Sequence, residues 1–235
     1  MKRTTTFLST LILLLFLQSN IFAQTYPVYL CGSTTTVTLQ PGITVNTGDE
    51  VVWVEVTGTT TTEVQRSTTL RNYTTPTAGL STGEHTYRVH IVSASPELCV
   101  GDASDDYKIY QLPPFAVTLS TPTDYCENAS ATSITATATP TAPATLPAGV
   151  TFDYIWEAKK GTTSLTIGDV GENTTNQNVL NMTTTTVGDY IITATSNYVV
   201  PTGSVLKSAT SCAVASAPET IKVLPKPEKP SITIL

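Results

Sequence analysis

The segment Val187-Gly-Asp-Tyr-Ile-Ile-Thr-Ala-Thr-Ser-Asn197 decides the fold. Within it, Tyr190, Ile192 and Ala194 alternate with residues that must point the other way when the backbone is extended. Alternation with a period of two predicts a β-strand that is buried on one side. We therefore expect Tyr190, Ile192 and Ala194 to face the core of a β-structured domain.

A second segment, Gly83-Glu-His-Thr-Tyr-Arg-Val-His-Ile-Val-Ser93, repeats this pattern earlier in the chain. It has the same start, a Gly followed by an acidic residue, and it alternates Tyr87, Val89 and Ile91 with outward-facing residues. Each of the two segments follows a strand-like stretch centred on a Trp and precedes a single Cys. The sequence therefore predicts two copies of one β-sandwich unit.

The two Trp residues supply a second core position in each copy. Trp53 lies in Glu50-Val-Val-Trp-Val-Glu-Val56, which is rich in β-branched residues, as expected of a central strand. Trp156 lies in Phe152-Asp-Tyr-Ile-Trp-Glu-Ala158, whose aromatic residues share one face. The predicted core markers are Trp53, Tyr87, Trp156 and Tyr190.

The composition favours an all-β protein. Thr is the commonest residue, and Val, Ile and Tyr are well represented. These residues suit a pleated, half-buried surface. A disordered Thr-rich and Pro-rich stalk is the alternative, but the Thr residues alternate with apolar residues and do not form uninterrupted polar tracts.

The N-terminus predicts export from the cell. Lys2 and Arg3 precede a short apolar run, FLSTLILLLFL, and the small residue Ala23 follows it. This is the organisation of a secretory signal peptide, here residues 1–23. The run is shorter than the roughly 20 residues that cross a bilayer, so we expect no membrane span in the mature chain. The expected location is secreted or cell surface.

The charge limits the kinds of partner. Removal of Lys2 and Arg3 leaves 10 basic residues against 18 acidic ones, so the mature chain has a formal charge of −8. A nucleic-acid partner is not expected, because phosphate binding needs a basic patch. The expected partner is an extracellular protein or a glycan.

Composition and proline positions predict the domain boundaries. Two sandwiches are expected at residues 24–112 and 113–224, followed at residues 225–235 by a Pro-rich linker and a partial strand, PKPEKPSITIL. We favour the interpretation that this strand begins a further repeat. The alternative is that it packs against its own sandwich or against the strand edge of a partner.

The order of these residues resembles a known family. A Cys, a short Thr-rich strand, a Trp strand, a Tyr strand and a second Cys resemble the immunoglobulin-like and PKD-like repeats of large secreted and surface proteins in gliding and related Gram-negative bacteria. The matching positions are Cys31, Trp53, Tyr87 and Cys99, then Cys126, Trp156, Tyr190 and Cys212. The resemblance implies tandem immunoglobulin-like β-sandwich domains with an adhesive or spacer role.

The cysteines depart from the antibody pattern. In antibody domains the second Cys follows the strand Tyr by two residues, whereas Val89 and Ile192 occupy those positions here. An even number of Cys in an exported chain favours disulfides, and four Cys allow three pairings. The two-copy repeat selects Cys31 with Cys99 and Cys126 with Cys212, which the resemblance implies are staples within each domain. Zinc is not expected, because tight Cys pairs are absent.

Catalysis and cofactors are not expected. The only imidazoles belong to His85, placed at a turn, and His90, which shares the outward face with Arg88. Both are interpreted as solvated surface residues. The sequence contains no Gly-x-Ser-x-Gly turn and no phosphate-binding Gly-rich loop.

Two ligand hypotheses remain. Asp102, Asp105 and Asp106 form an acidic patch that could collect Ca²⁺, although its spacing differs from an EF-hand and a solvated loop explains it as well. The loop aromatics Tyr73, Tyr125 and Tyr198 could stack on sugars, or could simply cover the ends of the sandwiches with their hydroxyls in water.

These observations favour one function and leave an alternative. The first is a non-catalytic secreted or cell-surface module that serves adhesion or acts as a spacer between other domains. The alternative is an extracellular module that binds a glycan or another polymer through the end loops of its sandwiches.

Overall fold

A computed structural model describes residues 25–95, 100–128, 132–141, 145–173, 177–209 and 212–231. The predicted signal peptide therefore lies outside the described residues. Among the residues that are described, the chain is built from β-strands and one short helix, α1 (Ile167–Val170). No helix in this part is long and apolar enough to span a membrane.

The N-terminal half forms sandwich one. Its strands are β1 (Val28–Cys31), β2 (Thr38–Leu39), β3 (Glu50–Thr57), β4 (Thr60–Ser67), β5 (Tyr73–Thr74), β6 (Gly83–Val92) and β7 (Tyr107–Gln111). The C-terminal half forms sandwich two. Its strands are β8 (Phe115–Leu119), β9 (Tyr125–Cys126), β10 (Thr132–Pro140), β11 (Thr151–Lys160), β12 (Thr163–Leu165), β13 (Gly171–Asn173), β14 (Val179–Met182), β15 (Gly188–Val199), β16 (Val205–Ser208), β17 (Val214–Ala215) and β18 (Glu219–Leu224).

Sandwich two has the immunoglobulin strand arrangement. One sheet has the order β13-β14-β10-β8, and the other has the order β12-β11-β15-β18-β9. These correspond to the D-E-B-A sheet and to the sheet that contains strands C, F and G. The predicted all-β, immunoglobulin-like fold is confirmed.

The predicted orientation of the key strand β15 is also confirmed. Tyr190 is 2% exposed, and Ile192 and Ala194 are completely buried. The strand lies between β11 and β18, with antiparallel partners on both sides. Because its other face points to solvent, its side chains follow the buried and partly exposed alternation that the sequence shows.

The Gly that opens both repeated strands has a conformational reason. Gly83 has φ = 126° and Gly188 has φ = 147°. Residues with a side chain rarely adopt this region, whereas Gly enters it freely. The shared Gly therefore marks the turn from which strands β6 and β15 both begin.

Sandwich one is less complete than sandwich two. Its large sheet has the order β16-β1-β7-β6-β3-β4, and its second sheet consists of β2 and β5, each two residues long. The large sheet also contains β16, which belongs in sequence to sandwich two. The two halves of the chain are therefore joined through a shared sheet.

The disulfide prediction is corrected by this shared sheet. The structure joins Cys31 to Cys212, with Cα atoms 5.9 Å apart, across a sequence separation of 181. The expected pairs Cys31–Cys99 and Cys126–Cys212 are therefore wrong. The reason is that β16 lies parallel to β1, so the segment that follows Ser208 arrives at the end of β1. Cys126 is a free, partly buried thiol, and Cys99 lies outside the described residues.

Candidate functional site

The aromatic residues that were expected in loops lie in the interior. Tyr73, Tyr125 and Tyr198 are only 7%, 8% and 4% exposed. The hydroxyl of Tyr125 donates to the carbonyl oxygen of Thr184 at 2.6 Å, so it does not lie in water. The interpretation of these three rings as sugar-stacking platforms, or as caps with solvated hydroxyls, is therefore corrected.

Tyr198 and Tyr73 each pack inside one sandwich. The ring of Tyr198 contacts Phe115 and Phe152, with centroids 4.9 and 4.8 Å away, and its hydroxyl donates to the carbonyl oxygen of Pro113 at 2.8 Å. Burial raises the pKa of Tyr198. Tyr73 packs against Tyr87 at 5.5 Å in the core of sandwich one. The sequence signal for Tyr198 is that it continues the inward alternation of Tyr190, Ile192 and Ala194 along β15.

The acidic patch does not assemble into a cation site. Asp102, Asp105 and Asp106 are exposed, and Asp106 forms an ion pair with Arg88 on β6. This hydrogen bond lowers the pKa of Asp106. Among the described residues, no three His, Cys, Asp or Glu side chains are grouped so that they could hold a metal ion.

His85 has a different environment from the one expected. It is the third residue of β6, and its side chain is only 11% exposed. Its Nδ1 lies 2.7 Å from Oε1 of Glu55 on β3, and its Nε2 lies 2.8 Å from the carbonyl oxygen of Ser81. The interpretation of His85 as a solvated residue at a turn is therefore wrong.

The geometry around His85 favours a structural role. The Ser81 hydroxyl is 3.5 Å from Nε2, farther than the carbonyl oxygen of the same residue. Both ring nitrogens thus face oxygen acceptors, and a nitrogen that donates to a carbonyl cannot also take the proton of a serine hydroxyl. The ring connects the turn at Ser81 to strand β3. His90 is partly buried on the outer face of β6.

The two sandwiches meet where β16 pairs with β1, and we call this contact the joint. Strand β16 pairs in parallel with β1, in register from Val28 with Val205 to Cys31 with Ser208. Two further bonds extend this ladder: the amide of Val205 donates to the carbonyl oxygen of Pro27, and the Ser204 hydroxyl donates to the carbonyl oxygen of Tyr26. The joint therefore begins with main-chain hydrogen bonds, which fix the relative orientation of the two strands.

Strand β1 contributes to two cores at once. Val28 and Leu30 face the core of sandwich one, whereas Tyr29 and Cys31 face a core that continues through sandwich two. All four side chains are buried. The unbroken apolar sequence VYLC is the signal for this arrangement, because a strand buried on both faces shows a continuous apolar run in place of alternation.

An aromatic cluster fills the joint. The ring of Tyr26 lies 5.6 Å from that of Tyr29 and 5.0 Å from that of Tyr110. Aromatic pairs at these distances contribute about 0.5–1.5 kcal/mol each beyond their burial. The Tyr26 hydroxyl donates to Glu84 at 2.8 Å, and Lys108 lies 2.8 Å from the same carboxylate. The polar network therefore orders the sandwich-one side of the joint, and the three Tyr rings belong to the same buried cluster as the core of sandwich two.

A cleft of about 430 Å³ lies beside the joint. The disulfide Cys31–Cys212, Leu112 and Phe115 contribute to its walls, and the buried residue Gln111 also lines it. The Gln111 amide nitrogen donates to the carbonyl oxygens of Gly32 and Leu112, while its oxygen has no hydrogen-bond partner among the described residues. Gln111 therefore acts mainly through its amide nitrogen, which ties the end of β7 to the end of β1.

Neither a protein-family model nor a curated protein matches the chain. Solved structures with a similar fold include the immunoglobulin domains 1–5 of Sidekick-1, at 11% identity and a TM-score of 0.36, covering 86% of this chain and 36% of that one. The N-terminal four immunoglobulin domains of Dscam1 isoform 9.44 give 11% identity, a TM-score of 0.32 and coverages of 87% and 46%.

The amphioxus IgVJ-C2 molecule is a third similar structure, at 14% identity and a TM-score of 0.33, covering 73% of this chain and 98% of that one. The chain spans less than half the length of the Sidekick-1 and Dscam1 structures. The immunoglobulin-like assignment itself follows from the strand order of the two sandwiches.

Proposed function

We propose that the chain is a non-catalytic extracellular module in which two immunoglobulin-like sandwiches form one rigid unit, used for adhesion or as a spacer. The observation that carries this proposal is the joint. A spacer must hold its ends at a fixed separation, and a flexible connection between domains defeats that purpose. Here a parallel strand pair, a shared buried cluster and a disulfide connect the two halves.

Three features support the extracellular assignment: the disulfide, the predicted signal peptide and the net negative charge. Disulfides persist in oxidising compartments, and Cys31–Cys212 is a disulfide. The predicted signal peptide at residues 1–23 and the acidic mature chain agree with an exported, soluble product. The partner proposed for an adhesive role is an extracellular protein.

The domain boundaries are part of the proposal. Residues 24–112 and 113–224 supply the two sandwiches, but β16 crosses from the second into the sheet of the first. The two units are therefore proposed to work as a pair. The glycan-binding alternative depended on three exposed rings, and it is not favoured because Tyr73, Tyr125 and Tyr198 are buried.

Backbone amide relaxation by NMR tests the rigid unit. In the mature chain, residues 24–235, we expect amides of both sandwiches to report one common rotational correlation time. The double variant Cys31→Ser/Cys212→Ser combined with Tyr29→Ala should loosen the joint, so that the two halves tumble separately. Two distinct correlation times in the unmodified chain would contradict the proposal.

A further inference from the structure

Sandwich one has an inner face that is incompletely covered. Val89 and Ile91 lie on the same side of β6 as the buried Tyr87, yet both are only partly buried. Their counterparts after Tyr190 in sandwich two, Ile192 and Ala194, are completely buried. The two positions are equivalent in the repeat, so the difference comes from what covers them.

Among the described residues, the two sandwiches differ here by one strand. In sandwich two, β8 pairs with the second half of β10, and Phe115 of β8 packs against Tyr198 of β15. In sandwich one the strand in the place of β10 is β2, which is paired with β5 alone among the described residues. The edge of β2 opposite β5 thus has no β8-like strand beside it in the described part of the chain.

A trough lies where this strand is missing. Two adjoining cavities of about 530 and 390 Å³ share Gly42, Val89 and Ser104 as lining residues. Trp53 and Tyr87 contribute to the larger one. We call the trough, between residues 39–43 and residues 101–107, the open face.

The rim of the open face combines apolar and acidic groups. Ile43 is 68% exposed and Tyr107 is 40% exposed, although both are large hydrophobic residues. Asp102 and Asp105 also line the trough. An apolar channel with carboxylates on its rim suits a basic, extended segment with alternating apolar side chains.

We propose that the open face receives residues 225–235 of a second copy of this chain as an added β-strand. These residues, which we call the tail, read PKPEKPSITIL. Lys226 and Lys229 outweigh Glu228 in this segment, so its side chains carry a net charge of +1 (two minus one), opposite in sign to Asp102 and Asp105. In sandwich two the missing position is filled by Val117-Thr118-Leu119, of which Val117 is buried and Thr118 is exposed. The tail offers the same apolar-Thr-apolar order in Ile232-Thr233-Ile234.

The geometry requires a second copy. Strand β18 ends at Leu224, beside the start of β15 at Gly188, whereas the joint lies beyond the other end of β15 at Val199. At about 3.3 Å per residue, β15 separates these ends by roughly 36 Å. The six-residue Pro-rich linker spans only about 19 Å at roughly 3.1 Å per residue, so the tail cannot reach its own sandwich one.

The open face and the end of β18 at Leu224, after which the tail begins, are at opposite ends of the molecule. Gly83 and Gln111 are paired next to the joint, and β6 runs away from it toward Val89 and Ile91. A contact between one end of a copy and the other end of the next is heterologous, and it generates a linear array unless the rotation closes a ring. The added strand would therefore link rigid units head to tail.

Sedimentation velocity of the mature chain, residues 24–235, tests the association. We expect the weight-average sedimentation coefficient to rise with protein concentration. The variant Ile232→Asp/Ile234→Asp should remain monomeric at every concentration, because it places charges on the apolar face of the tail. The matched control Thr233→Asp alters the opposite face and should associate like the unmodified chain. A chain that stays monomeric throughout overturns the proposal.

The location is tested with a synthetic peptide of residues 225–235. It is titrated into the isotope-labelled Ile232→Asp/Ile234→Asp variant, which keeps the open face intact. We expect saturable amide shifts at residues 39–43, Val89 and Ile91, weakened at least tenfold by Asp102→Lys/Asp105→Lys. Absence of shifts, or shifts confined to another surface, contradicts the proposed site. Such a result leaves the rigid joint untouched, because relaxation measures the joint independently.

Discussion

Single residues in this protein owe their roles to the period of two along each strand. Trp156 and Ile155 are neighbours on β11, but Trp156 is 5% exposed and Ile155 is 56% exposed. The indole nitrogen of Trp156 also donates to the carbonyl oxygen of Gln177. The sequence predicted which of the two faces inward, because the aromatic residues of this strand occupy alternate positions.

We expect Trp156→Ala to lower the free energy of unfolding by about 3–5 kcal/mol, since it removes a buried aromatic ring and leaves a cavity. The adjacent control Ile155→Ala should change it by less than about 0.5 kcal/mol, as for other surface substitutions. Chemical denaturation measures both. Similar losses for the two variants would show that the faces of β11 are assigned incorrectly.

Glu84 should make stability depend on pH. Burial alone would raise the pKa of this carboxyl, but hydrogen bonds from Lys108 and Tyr26 outweigh burial and lower the pKa below the ordinary value of 4.5. The folded state thus favours the ionised form. Its contribution is fully present above the unfolded pKa and is lost as the pH falls through the folded pKa.

The variant Glu84→Gln should therefore flatten the decline in stability below about pH 5. Denaturation series at several pH values measure the slope. Glu63→Gln is a useful comparison, because the pKa of Glu63 is also lowered by Arg66 but its side chain is exposed and lies away from the joint. A slope that is unchanged in Glu84→Gln would assign the acid sensitivity to other groups.

At the scale of elements, alternation and composition predicted the long strands but did not predict β16. Strands β6 and β15 are half-buried, so their sequences alternate visibly. Strand β16 is mostly exposed, with Leu206 packed against the core, and its partner lies in the other half of the chain. Pairing between distant segments leaves no periodic signal in either one.

The same limit explains the disulfide. The repeat suggested that each copy closes on itself, but β16 carries the segment of Cys212 to the end of β1. The prediction that Tyr73, Tyr125 and Tyr198 contact a ligand was also wrong. Tyr73 stands beside polar residues, and only the packed sandwich shows that its ring points inward. Tyr198 continues the alternation of Tyr190, Ile192 and Ala194 along β15, so the period of two could have placed it inside.

Removing the disulfide should weaken the joint measurably. For a sequence separation of 181, the chain-entropy relation gives an upper limit of about 5 kcal/mol for the stabilisation. We expect Cys31→Ser to lose a large part of this, and the control Cys126→Ser to change stability by less than about 1 kcal/mol, since Cys126 is free.

Peptide mapping without reduction provides the direct measurement for the same prediction. The peptide that contains Cys31 should be joined to the peptide that contains Cys212. Recovery of Cys31 bound to Cys99 would instead support closure within the first repeat, and equal destabilisation by the two Ser variants would argue against the bridge across the joint.

At the scale of the whole molecule, the two cores are not separate. The cluster that fills sandwich two extends through Tyr26, Tyr29 and Tyr110 into the outer face of the first sheet. The molecule therefore has a continuous interior along the joint, while the open face and the end of β18 at Leu224 lie away from the joint in opposite directions. The sequence predicted the number of sandwiches, but the continuity depends on β1, whose four consecutive buried residues face both cores.

The presence of β16 in the first sheet has a consequence for the order in which the protein is made. Ribosomes release the chain from its N-terminus, and domains generally fold as they emerge. Sandwich one, however, cannot complete its large sheet until Val205–Ser208 have been synthesised, and Cys31 cannot find its partner until Cys212 follows. Until almost the whole second half has been synthesised, the edge of β1 therefore stays unpaired on the β16 side and Cys31 stays without its disulfide partner.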